Sequence, residues 1–136
     1  MIPDKYLYIS PRQASQTLIT HILEAMEKEP ERPFTIALSG GTTPAVLFEV
    51  WERVFVAYSP WARLYFYWVD ERCVPPTDAQ SNFGLADRLL FGKINLPASP
   101  YYRIVGEGAP GEEAILYSSL VKATVPTVDE VPVLSL

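Results

Sequence analysis

Two short segments carry residue types that could act together on an anionic substrate. The first is Ser39-Gly40-Gly41-Thr42-Thr43, which follows the apolar run FTIAL and precedes a stretch with helical spacing. Glycines there let the backbone approach a ligand, the first-turn N–H groups of a helix lack partners, and the helix dipole favours an anion. The hydroxyls of Ser39, Thr42 and Thr43 add further donors. The second is Asp70-Glu71-Arg72, at the end of the aromatic run LYFYWV. Arg72 offers a fixed cation suited to phosphate or carboxylate. The two carboxylates offer groups that hold sugar hydroxyls or act as a base. Each segment alone has an ordinary alternative, a plain strand-to-helix turn for the first and a solvated charge triplet for the second.

The surrounding elements decide whether the two segments meet. Phe34–Leu38 reads as a strand, and Leu47, Val50, Trp51 and Val54 repeat as one face of a following helix. Pro44 sits where a first-turn proline is tolerated, with Thr42 or Thr43 as cap. Leu64–Val69 is apolar with no polar alternation, the pattern of a parallel strand buried on both faces. Ahead of these, Tyr6–Ile9 reads as a short strand, and Ser10-Pro11 opens a helix to about Lys28 with Ala14, Leu18, Ile22 and Ala25 on one face. Ile19 and Met26 widen that face. Beyond the triplet, Ser81 caps a helix from Asn82 to Leu90, with a stripe of Phe83, Ala86, Leu89 and Leu90. A short strand is predicted at Tyr102–Val105, a helix at Glu112–Ala123 from the spacing of Ile115, Leu116, Ser119 and Leu120, and the start of a buried strand at Val131–Leu136.

Strands alternating with helices imply an α/β fold of the Rossmann-like, doubly wound kind: one domain with an open, mainly parallel sheet and helices on both faces. In such sheets ligands bind beyond the carboxyl ends of the strands, which is where both segments fall. A last strand with no covering helix after it reads as a fold incomplete at its C-terminus, so self-association through the exposed C-terminal strand is an expectation.

The 136 residues are 49% hydrophobic and 20% charged, the balance of a globular chain. A net charge of −5 argues against a nucleic-acid partner. No apolar stretch approaches the roughly eighteen residues of a membrane span, no signal pattern is present, and a cytoplasmic location is the expectation. Cys73 is the single cysteine, which excludes an internal disulfide, and it reads as a small half-buried hydrophobe. His21, the single histidine, falls mid-helix and far from both segments, and Trp51, Trp61 and Trp68 read as core. No metal-ligand spacing occurs.

The ordered segments SGGTTPAVLFEVW, FYWVDERCVPP and SNFGLADRLLF closely resemble the 6-phosphogluconolactonases, which share a superfamily with the glucosamine-6-phosphate deaminases. The resemblance covers Phe34 to Leu90. It implies hydrolysis of 6-phosphoglucono-1,5-lactone to 6-phosphogluconate in the pentose phosphate pathway, with no metal and no organic cofactor. By the same resemblance Ser39, Gly40, Gly41, Thr42 and Thr43 hold the substrate phosphate, Arg72 adds charge, and Glu71 and Asn82 support the site. Asp70 is the catalytic candidate, at the position that serves the deaminases as proton acceptor and that orders sugar hydroxyls in the lactonases. The family's general base is a histidine in a Gly-x-x-Asp-Gly-His segment, expected beyond Leu136, so impaired hydrolysis is expected of this chain. Two other readings stay open: an amino-sugar phosphate deaminase or isomerase, and a non-catalytic sugar-phosphate-binding remnant.

Overall fold

The computed structural model describes residues 7–8, 10–96 and 101–136. Ser10 caps the first helix, α1 (Pro11–Lys28), its Oγ accepting the Gln13 amide at 3.2 Å. Pro11 occupies the first helical position, where a missing N–H costs no hydrogen bond. The other end of α1 is held from far along the chain. The Arg63 guanidinium donates to the carbonyls of Met26, Glu29 and Arg32 at 3.4, 3.2 and 3.0 Å, a cation set on the negative end of the helix. α1 buries Ser15, Ile19, Ile22 and Met26, while Leu18 and Ala25 of the predicted stripe face outward.

Strands β1 (Phe34–Leu38) and β2 (Leu64–Trp68) pair in parallel, Phe34 opposite Leu64 through Leu38 opposite Trp68. Helix α2 (Thr42–Val50) joins them, continuing through a π-turn at 51–55 and two single 3₁₀ turns. On one face of β2, Phe66 meets Phe91 and Trp68 meets Phe83 edge-on, with centroids 5.0 and 5.3 Å apart. Phe83 belongs to α3 (Asn82–Leu89), and Trp51, beside Phe66, belongs to the π-turn. On the opposite face Tyr67 stacks on Tyr102 and donates at 3.0 Å to Thr124 of α4 (Pro110–Thr124). Helices thus cover both faces of the parallel pair, which is why β2 needs no polar alternation.

Two short segments flank the pair. Tyr102 N–H donates to Phe66 O at 2.8 Å, and Tyr101 forms a parallel bridge with Phe66. The strand predicted over 102–105 reduces to this bridge. On the β1 side, Leu136 N–H donates to Thr35 O at 3.0 Å and Ala37 N–H to Leu136 O at 2.9 Å, a parallel pattern.

The buried strand predicted at Val131–Leu136 does not form as a unit. Instead β3 (Thr127–Val128) and β4 (Val131–Pro132) make a small antiparallel hairpin, leaving Val131 60% and Val133 48% exposed. The reason is local: Asp129 and Glu130 adopt φ of 50° and 64°, the left-handed pair that closes a two-residue hairpin. α4 contains the helix predicted over 112–123, and it leaves Ile115 71% and Leu116 64% exposed while Tyr117, Leu120 and Val121 turn inward. The strand predicted at 6–9 lies largely outside the described residues. Among the described residues no helix is long and apolar enough to cross a membrane.

Candidate functional site

Because β1 and β2 are in register, Leu38 beside Trp68, their following loops leave the same rim. Val69 N–H donates to Leu38 O at 2.9 Å and extends the pairing by one step. Ser39 and Asp70 therefore face each other, the Ser39 hydroxyl 3.5 Å from Asp70 Oδ1. Asn82, buried at the start of α3, donates through Nδ2 to both Oδ1 and the backbone carbonyl of Asp70, at 3.2 Å each. The same amide fills the space that a Cβ on Gly40 would need. One side chain thus ties the end of β2, the start of α3 and the glycine turn together.

Gly41 has φ of 106°, a conformation that only glycine holds without strain, and occupies the cap position of α2. No side chain caps this helix: Thr42 and Thr43, predicted as caps, already lie inside its first turn. The first intrahelical bond runs from Ala45 N–H to Gly41 O at 3.3 Å, so the Thr42 and Thr43 amides precede the ladder.

The triplet divides its labour. Both Glu71 oxygens are committed to α3: Oε1 accepts the Asn82 amide at 2.7 Å, and Oε2 accepts the Phe83 amide and the Ser81 hydroxyl at 3.0 Å. Oε1 also takes the Arg72 amide at 2.7 Å. Glu71 is therefore a helix-capping carboxylate that holds the start of α3; of the roles open to the two carboxylates from the sequence, it fills neither that of the sugar-holding group nor that of the base. The Arg72 guanidinium is uncommitted: among the described residues the ion pairs are Arg32–Glu29 and Arg103–Glu107. Arg72, Gly41 and Thr42 line one open hollow of about 370 Å³, with Gln80, Ser81 and Asn82 across from them. Ser39 and Gly40 meet Asp70 and Asn82 instead, and Thr43 is exposed on the first turn.

A second hollow, of about 250 Å³, lies along the other side of the Arg72 loop; Glu71 and Arg72 line it too, with Cys73, Val105, Gly106 and Tyr117. Cys73 is exposed here, not half-buried as expected. Tyr117 bridges α4 to the sheet: its hydroxyl accepts the Trp68 amide at 2.9 Å and donates to Tyr102 O at 2.8 Å. Burial pushes its ionisation up to about 12. His21 is exposed on α1, in a shallow hollow with Glu24 and Lys28. No cluster of three or more metal-ligating side chains occurs among the described residues.

Residues 10–136 match the protein family described as glucosamine-6-phosphate isomerases/6-phosphogluconolactonase. The chain belongs to that family. The 6-phosphogluconolactonase of Treponema pallidum is 42% identical over 97 residues, covering 71% of this chain and 40% of that protein. The 6-phosphogluconolactonase of Haemophilus influenzae is 39% identical over 95 residues, covering 69% of this chain and 41% of its own. The chain thus spans about two fifths of the length of these curated relatives. A crystal structure titled devB protein superposes with a TM-score of 0.87 at 36% identity, over 94% of this chain and 53% of that one. The Trypanosoma brucei 6-phosphogluconolactonase superposes at 0.79 over 92% of this chain and 52% of its own, and at 22% identity shows the fold alone.

For this member of the glucosamine-6-phosphate isomerase/6-phosphogluconolactonase family, motif spacing located both loops. It missed the role of Arg63, whose contacts span a long stretch of chain and leave no local signal. It also missed the double commitment of Glu71 to α3, whose partners lie further along the chain.

Proposed function

We propose that this chain contributes the phosphate-gripping part of a 6-phosphogluconolactonase, acting on 6-phosphoglucono-1,5-lactone in the pentose phosphate pathway. One observation carries the reading: Arg72, which takes part in no ion pair among the described residues, lines the same hollow as Gly41 and Thr42 at the opening turn of α2. A phosphoryl group seated there meets the Thr42 and Thr43 amides, the positive end of the helix and a planar cation together. Gly40 and Ser39 act indirectly, keeping Asn82 and Asp70 in place. Asp70 accepts both its side-chain bonds on Oδ1, which leaves Oδ2 for a sugar hydroxyl or a water.

Hydrolysis requires water to add to the lactone carbonyl and the ring oxygen to leave, producing the carboxylate. Holding the remote phosphate orients that carbonyl, the positional contribution to the rate. Water activation needs a base, which the family resemblance assigns to a histidine of a Gly-x-x-Asp-Gly-His segment.

Calorimetric titration with 6-phosphogluconate and with gluconate tests the grip. The chain should prefer the phosphorylated ligand, and Arg72→Ala should abolish the preference; equal binding of both ligands refutes it. The names of the curated relatives favour the lactonase over the deaminase reading. Ammonia release from glucosamine 6-phosphate would reverse that choice.

A further inference from the structure

The segment 101–108 crosses behind the loop that carries Arg72, and its point of closest approach is Gly106. A Cβ placed on Gly106 would overlap the Arg72 carbonyl oxygen and lie 2.7 Å from Val74 O and 3.2 Å from Val74 N. All three are backbone atoms, so no flexible side chain can swing aside. The φ of Gly106 lies outside the left-handed region, so space and not backbone strain demands the glycine.

The crossing segment is braced and cannot simply retreat. Tyr101 and Tyr102 are bonded to Phe66 of β2. Tyr117 of α4 donates to Tyr102 O at 2.8 Å, and Glu113 Oε1 accepts the Val105 amide at 2.9 Å. Arg103 and Glu107 close the loop through two bonds of 2.6 and 3.0 Å, with the guanidinium of Arg103 above the Phe83 ring at 5.9 Å. From the other side, the Arg72 amide is fixed to Glu71 Oε1. The backbone of Arg72 is therefore clamped between the capped start of α3 and the α-carbon of Gly106.

We propose that Gly106 is a positioning residue for Arg72: by admitting the 72–74 backbone against its bare α-carbon, it sets the reach of the guanidinium into the phosphate hollow. The inference rests on the proposed role of Arg72. A methyl group at position 106 would push the loop on the order of 1 Å, enough to cost a charged contact much of its value.

The test is a double-mutant cycle on the full chain, read by calorimetric binding of 6-phosphogluconate with gluconate as the unphosphorylated control. Gly106→Ala should weaken 6-phosphogluconate binding about tenfold, leave gluconate binding unchanged, and have no further effect in the Arg72→Ala background. Equal losses in both backgrounds, or no loss at all, would overturn the proposal while leaving the Arg72 reading intact. An Arg72→Ala chain that binds 6-phosphogluconate as the parent does would instead sink the Arg72 reading itself. Should Gly106→Ala fail to fold, Glu113→Ala releases the Val105 amide and loosens the same brace; its effect must likewise depend on Arg72, and independence from Arg72 would refute the clamp.

Discussion

Glu71 Oε1 receives the Asn82 amide at 2.7 Å, so the middle residue of the acidic triplet serves the helix that follows it. With Oε2 on the Phe83 amide and the Ser81 hydroxyl, one carboxylate satisfies several of the groups that an α-helix leaves unpaired at its start. Its negative charge also lies at the favourable end of the α3 dipole. Asp70 and Arg72, on either side, are thereby left for the rim.

Removing this cap should destabilise the chain without touching the hollow directly. Glu71→Ala is expected to cost about 1–3 kcal/mol, the range for stripping a charged acceptor from buried donors. Glu71→Gln should recover only part, because one acceptor oxygen becomes an NH₂ facing N–H groups. Urea denaturation followed by circular dichroism measures both, and a Gln variant as stable as the parent would contradict the cap.

The two glycines of the turn should fail for different reasons. Gly41→Ala meets open space but must hold φ of 106°, at a cost of about 1–3 kcal/mol for a non-glycine residue in a sparsely populated backbone region. Gly40→Ala collides with the Asn82 amide. Adding Asn82→Ala should therefore soften the Gly40→Ala defect, giving a less than additive pair, and leave the Gly41→Ala defect unchanged. Thermal melts of the single and double variants decide it, and strict additivity for both pairs would count against the contact.

Tyr117 predicts an alkaline limit. Burial holds its ionisation at about 12, above the ordinary 10, so the folded chain keeps the proton that the unfolded chain releases. Its contribution to stability is full below pH 10 and is lost as pH rises through 12. Tyrosinate absorbance should show a component titrating near 12 that Tyr117→Phe removes. Persistence of that component in the variant would assign it to another tyrosine.

Two buried tryptophans should respond unequally to the same change. Trp51 Nε1 donates to Ser59 Oγ at 2.8 Å, whereas the buried Trp68 Nε1 has no acceptor among the described residues. Both Phe replacements lose ring volume, but only Trp51→Phe loses a hydrogen bond. Trp51→Phe should cost about 1 kcal/mol more than Trp68→Phe in chemical denaturation; the reverse order would show that an acceptor reaches Trp68 in solution.

Much of the site was legible because its signals are local. Ser10 and Ser81 announce their helices within three residues, since each caps an amide that close by. The apolar runs at Phe34 and Leu64 mark adjacent parallel strands, and their shared end puts Ser39 and Asp70 at one rim. Other readings failed where a stronger local preference or a distant partner intervened. Val131–Leu136 is apolar enough for a strand, yet the Asp129-Glu130 turn folds its first half back on residues 127–128. The helix predicted from the spacing of Ile115 and Leu116 does form, and α4 turns Tyr117 to the sheet because that hydroxyl bonds both Trp68 and Tyr102.

The sequence by itself determined the kinds of element, their order, and the presence of an anion-suited turn and a cation at successive strand ends, because these depend on residue spacing along a few turns of chain. Tertiary structure alone decided that Glu71 belongs to α3, that Arg72 stays uncommitted beside Gly41, that Gly40 yields to Asn82, and that Gly106 backs the Arg72 loop. Those outcomes depend on contacts between residues far apart in the chain, and close packing leaves room for only one arrangement of them.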